Sequence, residues 1–197
     1  MTNRTKWSID KSHSEIGFKI KHLTIAHVKG RFKTFDANIY TIDKDFTTAE
    51  IDLRIDASSI TTGDAKRDEH LKSTGFFDAQ KYKHIIFNSR YIQQSEKSDN
   101  YILWGELTIK GITKRIKLNV QFGGIVKDPW GKEKAGFAVT GKINRSDWEL
   151  VWNTSLEAGG LMVSEEVIIL CDLELINVNQ KDLAAELEFS AQKENIL

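Results

Sequence analysis

In the stretch Ile116-Lys117-Leu118-Asn119-Val120-Gln121-Phe122 every second residue is apolar, and the residues between them are polar or charged. Successive side chains of a β-strand point to opposite faces, so a period of two places the four apolar side chains on one face. Strands with one dry face and one wet face are typical of antiparallel sheets. The stretch therefore predicts a half-buried antiparallel strand.

The same alternation recurs along most of the chain. Its apolar positions are Ile16, Phe18 and Ile20; Ile51, Leu53 and Ile55; Ile85, Phe87 and Tyr91; Tyr101, Leu103, Leu107 and Ile109; Phe137, Val139 and Ile143; and Val167, Ile169, Cys171, Leu173 and Leu175. With the segment around Phe32 to Ile42, the pattern yields about eight strands, the number at which a sheet can close on itself. We therefore expect an all-β fold, an antiparallel eight-stranded barrel.

No repeat, linker or low-complexity tract divides the 197 residues, so a single domain is expected over residues 1–176. The alternation stops at Asn177. The tail, residues 177–197, contains good helix formers from Lys181 to Glu188, and it is expected to be either a short docked helix or a frayed end.

Charge and targeting signals exclude several classes of protein. The chain has 28 basic and 28 acidic residues, so no net field attracts nucleic acid or an anionic membrane. The single cysteine, Cys171, cannot form an internal disulfide. No apolar run follows the positive N-terminus, which predicts a cytoplasmic protein, or a periplasmic one if the given chain is already processed. The longest apolar run, Val167 to Cys171, is too short to span a membrane.

One charged segment, Arg67 to Asp78, interrupts the strand pattern and ends in Phe76-Phe77. Asp64 is a candidate N-cap and Gly75 a candidate residue just past the helix end. Leu71 is the only large apolar side chain within this short helix, and a helix with so little apolar surface does not belong in a core.

We therefore expect this helix to lie across an edge or a mouth as a lid, anchored by Leu71, Phe76 and Phe77. Asp68 is spaced to pair with Lys72 on the surface. The neighbours Arg67 and Asp68 are expected to form a structural ion pair.

The chain offers no spacing that is typical of catalysis, a metal or a cofactor. The five histidines form no His-Glu-x-x-His motif, there is no Cys-x-x-Cys, and no glycine loop suits a phosphate. Ser14 and Ser146 lie in no Gly-x-Ser-x-Gly elbow, which disfavours a serine hydrolase. His13 is placed to hydrogen-bond Asp10 within a turn. We expect no catalytic residue, no metal site and no cofactor.

Two segments, Tyr101 to Trp104 and Val167 to Leu170, are apolar on both faces. Either their outer faces are covered, for example by the tail or another subunit, or these strands are edges that pair in a dimer.

Taken together, the motifs resemble a known family. They are Trp7-Ser8-Ile9-Asp10 with His13-Ser14-Glu15-Ile16-Gly17-Phe18, His22, Val28-Lys29-Gly30-Arg31-Phe32, Ile55-Asp56-Ala57-Ser58-Ser59-Ile60, Arg67-Asp68 with His70-Leu71 and Phe76-Phe77-Asp78, Ile86-Phe87-Asn88-Ser89, Gly105-Glu106-Leu107-Thr108-Ile109-Lys110-Gly111, Asp128-Pro129-Trp130-Gly131, Gly136-Phe137 and Ile143-Asn144-Arg145-Ser146-Asp147-Trp148. This ordered set, over about residues 6 to 176, is similar to the YceI-like family of polyisoprenoid-binding proteins.

The resemblance implies an elongated, lipocalin-like barrel, often dimeric, with an apolar tunnel for a long isoprenoid or fatty-acyl chain, and binding rather than catalysis. Many members of that family carry a signal peptide, which this chain does not show. By inward alternation, the expected tunnel lining is Phe18, Ile20, Phe32, Leu53, Leu107, Phe122 and Phe137. Leu71, Phe76 and Phe77 are expected to close one end, and Arg67 and His70 to contact the headgroup of the lipid.

Two other functions remain open on the sequence. An enzyme that acts on such a lipid needs a polar group inside the tunnel, for which Arg67, His70 and His13 are the candidates. A stress-response interaction protein without a lipid would have a solidly packed barrel.

Overall fold

The computed structural model describes residues 3–23, 25–95, 99–154 and 162–178. Its strands are β1 (Arg4–Ile9), β2 (Glu15–His22), β3 (Ala26–Phe32), β4 (Phe35–Ile42), β5 (Asp45–Asp56), β6 (Ile60–Thr61), β7 (His84–Gln94), β8 (Asn100–Ile109), β9 (Ile112–Lys127), β10 (Glu133–Asn144) and β11 (Val163–Val178). One α-helix, α1 (Ala65–Lys72), follows β6, and 3₁₀ turns lie at Ala57–Ser59 and Arg145–Trp148 within these described residues. The predicted all-β class is confirmed.

The described strands form one antiparallel sheet that closes on itself. β1 pairs with β4 on one side and with β11 on the other, and the ring continues from β4 through β5, β7, β8, β9 and β10 to β11. Eight strands therefore complete the barrel, as predicted.

The barrel is extended at one end because β11 is longer than β1 and β2, which pair one after the other along the same edge of β11. Near its C-terminus β11 pairs with β1, and nearer its N-terminus it pairs with β2, so that Ile9 lies opposite Leu175 and Ile20 lies opposite Val167. β3 returns along β2 and bonds to β6 only at Arg31 and Phe32. The helix α1 follows β6 at this end.

A hairpin joins β8 and β9, in which Lys110 and Gly111 form a two-residue turn with φ values of 50° and 74°. The strand β9 passes through Gly123 and Gly124 without a break and runs on to Lys127. Gly124 has a φ of +104°, and a register shift between Gly136 and Phe137 absorbs an extra residue as a bulge.

Both strands with two apolar faces lie inside the sheet and not at an edge. β8 has β7 and β9 as neighbours, and β11 has β10 on one side and β1 and β2 on the other. The outer face of β8 is covered locally, where Trp104 stacks on Tyr91 at a ring distance of 6.1 Å and the Lys117 ammonium lies 5.8 Å from the indole. The alternative of exposed sheet edges is therefore wrong.

The expected boundary of the tail also shifts. β11 continues to Val178, and Asn177 pairs with Trp7, so these positions belong to the barrel. The helix expected from Lys181 to Glu188 lies outside the described residues.

Candidate functional site

The extended barrel encloses a cavity of about 590 Å³, a size typical of small-molecule sites. Its wall is built from inward side chains of the strands and is almost entirely apolar. Ile51, Leu53, Ile169 and Leu173 line this space and are only partly buried, although they point into a closed barrel. Their remaining exposure is therefore exposure to the cavity.

All the predicted ligand-binding residues except Phe122 line this cavity; they are Phe18, Ile20, Phe32, Leu53, Arg67, His70, Leu71, Phe76, Phe77, Leu107 and Phe137. For those of these residues that lie on strands, the alternation of apolar residues therefore predicted the inner face correctly. Their contact with a lipid stays a prediction.

Phe122 lies instead in an aromatic cluster that closes the end of the cavity near the C-terminus of β11. Its ring centroid is 5.5 Å from that of Phe46 and 5.2 Å from that of Phe137. Phe46 also contacts Trp7 at 5.0 Å, and the buried indole of Trp7 donates to the Thr41 hydroxyl at 3.0 Å. We call Trp7, Phe46, Phe122 and Phe137 the aromatic floor.

Sequence reasoning missed Trp7 and Phe46. On β5, Phe46 is inward, and so are Ala49 and Ile51, although an even and an odd position cannot share a face in a regular strand. A register shift between β4 and β5 at Tyr40 and Ile42 accounts for the change of phase. Simple alternation cannot predict which face a residue takes when a register shift separates it from the rest of its strand.

The opposite end of the cavity is covered by α1, as the lid interpretation expected. The Asp64 carboxylate accepts a hydrogen bond from the Arg67 backbone N–H at 3.0 Å, which confirms the N-cap. Leu71 lines the cavity. Gly75 does not take the left-handed conformation that was expected of it; the helix ends at Lys72, and the Ser73 hydroxyl donates to the His70 carbonyl.

Both predicted ion pairs of this segment are wrong. Asp68 is buried and accepts hydrogen bonds from the Thr62 backbone N–H and hydroxyl at 2.8 Å and 2.6 Å, while Lys72 pairs with Glu69. Arg67 donates to the Thr62 hydroxyl at 2.7 Å and to its carbonyl at 3.1 Å. Burial acts to raise the pKa of Asp68, but the hydrogen bonds from Thr62 and Thr61, together with the positive charge of Lys72, outweigh it and lower that pKa. Thr62 therefore joins the two residues and fixes the lid to β6.

Beside the lid lies the segment 150–154, which we call the strap. The buried guanidinium of Arg145 donates to the carbonyls of Leu150 and Trp152 and forms an ion pair with Glu165 at 2.7 Å. The indole of Trp152 meets the His70 ring edge-to-face at 4.6 Å. Arg145 therefore holds the strap in place against the lid.

The polar lining of the cavity is concentrated at this lid end, which we call the mouth. His22, Thr62, Asp64, Lys66, Arg67 and His70 contribute to the lining here. Further inside, burial raises the pKa of the Cys171 thiol to about 11, so near neutral pH it lines the cavity as an uncharged group. The cavity thus has an apolar body and one polar end.

A polar cluster outside the cavity has potential metal-ligand atoms close enough together to bind one ion. Ligand atoms of Asp10, His13 and Glu174 lie within 4.8 Å of one another. The Lys134 ammonium, however, is 3.0 Å from Asp10 and 2.6 Å from Glu174, so a cation already neutralises these carboxylates. The predicted hydrogen bond between His13 and Asp10 is present at 3.0 Å. We assign the cluster a structural role: it links the β1–β2 turn to β10 and β11.

Among the described residues, no helix has the length and apolar character that crossing a bilayer requires.

Comparisons with known proteins agree with this architecture. The family model described as the YceI-like domain matches residues 7–175. The UPF0312 protein SAS2572 of Staphylococcus aureus is 38% identical over 164 residues, which cover 83% of this chain and 92% of that protein.

Solved structures show the same fold. A crystal structure of the Campylobacter jejuni YCEI protein superposes with a TM-score of 0.69 at 35% identity, over 87% of this chain and 96% of that one. A structure described as a polyisoprenoid-binding domain from Saccharophagus degradans has a TM-score of 0.58 at 18% identity, over 87% and 98% of the two chains, and supports the fold alone. The elongated, lipocalin-like barrel and the match over residues 7–175 lead to one conclusion: the chain belongs to the YceI-like family.

Proposed function

We propose that this protein binds and shields a long apolar chain, a polyisoprenoid, an isoprenoid quinone or a fatty-acid derivative, as a carrier or storage protein. The observation that carries the proposal is the cavity of about 590 Å³ inside the barrel, which is apolar along its body and polar at one end. A neighbour with the same fold, from Saccharophagus degradans, is described as a polyisoprenoid-binding domain.

Burial of the chain supplies the affinity. Each methylene transferred from water into an apolar cavity contributes about 0.8 kcal/mol, so roughly 15 buried methylenes contribute about 12 kcal/mol before the costs of association. Those costs are on the order of 4–15 kcal/mol. Because the wall offers few polar groups, the length of the chain determines affinity more than its chemical identity does, and we expect loose specificity.

The polar end of the lipid lies at the mouth in this proposal, and its apolar end reaches toward the aromatic floor. Arg67 and His70 are the headgroup contacts. Arg67 already holds Thr62 with its Nε–H and one N–H of a terminal nitrogen, and its three other terminal N–H donors are free of those bonds. A guanidinium in this place favours a carboxylate or phosphate over a neutral end group.

Binding rather than catalysis is part of the proposal. The polar groups of the lining are held in structural contacts, since Arg67 bonds to Thr62 and Arg145 bonds to backbone carbonyls and Glu165. The presence of a cavity inside the barrel argues against a solidly packed core. The homodimer and the cytoplasmic location belong to the same proposal, and light scattering and fractionation of host cells test them.

Titration of the delipidated protein with a fluorescent long-chain fatty acid tests the proposal. We expect saturable binding of one molecule per chain, and the absence of saturable binding to any long-chain probe contradicts the proposal.

The substitution Arg67→Met tests the headgroup assignment. It should weaken binding of the fatty acid by about tenfold, the worth of a charge-assisted hydrogen bond, and leave an uncharged long-chain alcohol unaffected. Lys72→Met is the matched control, because Lys72 lies on the same helix and pairs with Glu69 outside the cavity. Equal losses for both variants contradict the assignment.

A further inference from the structure

The charge of this chain is balanced in total but not in distribution. Residues 16–35 contain Lys19, Lys21, Lys29, Arg31 and Lys33 and neither aspartate nor glutamate. Because 28 basic and 28 acidic residues balance over the whole chain, the rest of the chain carries five more acids than bases. The local excess lies on the hairpin of β2 and β3, which we call the basic hairpin (residues 15–32). The absence of a net field therefore does not describe this surface.

The register of the basic hairpin puts its cations face to face on the outside of the barrel. Phe18, Ile20 and Val28 line the cavity, so the residues between them point outward. Lys19 lies directly opposite Lys29, and Lys21 lies opposite His27. Like charges directly opposite each other on paired strands are destabilising.

The lysines of the hairpin are not neutralised by the parts of the protein that the structure describes. Arg31 pairs with Glu15 at 2.8 Å, but no described carboxylate pairs with Lys19, Lys21 or Lys29. An external anionic surface would relieve the repulsion among these charges.

Four of the described acids at the same end of the barrel are already engaged. Glu165 pairs with Arg145, and Glu166 pairs with Lys142 at 3.0 Å. Asp64 caps α1, and Asp68 accepts hydrogen bonds from Thr62. These carboxylates therefore do little to offset the cations of the hairpin.

The tip of the basic hairpin is apolar and lies beside the mouth. Ile25 is 85% exposed. The Leu23 backbone N–H donates to the Met162 carbonyl at 2.8 Å, and the Met162 backbone N–H donates to the Thr154 carbonyl at 2.9 Å, so the tip is joined to the strap. The strap contributes two further exposed apolar side chains, Val151 at 64% and Trp152 at 37%.

Exposed apolar side chains flanked by lysines match the two components of an anionic bilayer surface. The apolar tips partition into the boundary of the acyl chains, and the cations remain at the level of the headgroups. Trp152, Met162 and His22 also line the cavity, so this patch adjoins the polar end of the cavity. A nucleic acid provides the negative charge but no environment for Ile25.

We propose that the basic hairpin, together with Val151 and Trp152 of the strap, docks the mouth of the barrel onto an anionic lipid bilayer. The docking surface stands on its own charge and exposure. Its use, the transfer of a lipid between cavity and bilayer, rests on the proposed function.

Sedimentation with vesicles tests the docking surface. The full chain is mixed with vesicles of phosphatidylglycerol and phosphatidylcholine or of phosphatidylcholine alone, and it should bind the anionic vesicles selectively and lose binding as salt is raised. Lys21→Gln combined with Lys29→Gln should weaken vesicle binding about thirtyfold, since each lysine near an anionic surface contributes about fivefold. Ile25→Ser should weaken it about tenfold.

The matched control is Lys127→Gln combined with Lys132→Gln, which removes the same charge from the β9–β10 hairpin. That hairpin also carries exposed apolar side chains, Val126 and Trp130, but it lies at the opposite end of the barrel, where Lys134 faces Ile176. We expect this control to bind vesicles as the unchanged protein does. Equal losses in both double variants, no selectivity for anionic vesicles, or binding to an oligonucleotide but not to vesicles would overturn the proposal.

A second measurement separates this inference from the proposed function. The double variant in the basic hairpin should bind the fluorescent fatty acid as the unchanged protein does, because Lys21 and Lys29 point away from the cavity. Vesicle binding without binding of the fatty acid would leave the docking surface intact and refute the lipid cavity.

Discussion

Ala37 offers a direct test of whether the space inside the barrel accepts a ligand. It is a small, half-buried residue on β4 that lines the cavity opposite Leu53. The substitution Ala37→Phe adds an aromatic ring to the wall and removes no existing side chain. If the ring enters empty apolar space and buries about 100 Å² more, it should stabilise the delipidated protein by up to ~2.5 kcal/mol. It also displaces roughly six methylene-sized groups of a bound chain, worth about 5 kcal/mol.

If sliding of the chain restores half of that loss, affinity should fall about seventyfold. Urea unfolding of delipidated protein and titration with a fluorescent fatty acid measure the two effects. Ala135→Phe is the matched control, because Ala135 is fully buried between Ile125 and Leu175 and does not line the cavity. Overpacking there should lower the free energy of unfolding by about 1–3 kcal/mol. If Ala37→Phe destabilises the protein to the same degree and leaves the affinity unchanged, the barrel is solidly packed and the reasoning fails.

Three further predictions concern the mouth. Arg145→Met removes a buried guanidinium and leaves the carbonyls of Leu150 and Trp152 without their donor, so the free energy of unfolding in urea should fall by about 2–4 kcal/mol; a loss below 1 kcal/mol contradicts the role given to Arg145. Because the pKa of Asp68 is lowered in the folded state, its stabilisation is complete above the unfolded pKa of 3.8 and is lost as pH falls through the folded value. Asp68→Ala should therefore cost about 2 kcal/mol at pH 7, with the difference from the unchanged protein shrinking in acid; a difference independent of pH refutes this. The double substitution Phe76→Ala with Phe77→Ala should shorten the residence time of the ligand at least tenfold. Each change should lower the free energy of unfolding by less than the ~3–5 kcal/mol that is typical of a phenylalanine in a filled core. Equal losses of ligand retention and stability would show that the two residues belong to the core and not to a lid.

The strand pattern was predictable because a period of two is written into each strand. On β9, alternation placed Ile116 and Leu118 inward, and both line the cavity. The same rule failed at the aromatic floor, where Phe46 follows a register shift that no local pattern reveals. Phe122 has the expected phase, but Phe46 and Phe137 pack against it and it does not line the cavity.

The lid combines a contact within the first turn of its own helix with contacts to Thr62, which precedes the helix. The N-cap of Asp64 was predictable because it depends on a residue three positions away. The contacts of Arg67 and Asp68 with Thr62 were not, because they depend on the path by which β6 enters the helix.

Trp152 was also not predictable as part of the mouth. Its contact with His70 joins residues far apart in the chain and exists only because the buried Arg145 holds the strap beside the lid. In this barrel the residues of the cavity wall can be predicted from the alternation of apolar residues, whereas those at its two ends depend on tertiary packing.

Native mass spectrometry of the protein purified from its own host, followed by lipid extraction, shows whether the cavity carries a lipid in the cell. We expect one long-chain apolar lipid retained per chain and recovered in the extract. A mass that matches the bare chain, under conditions that preserve non-covalent complexes, would contradict this expectation.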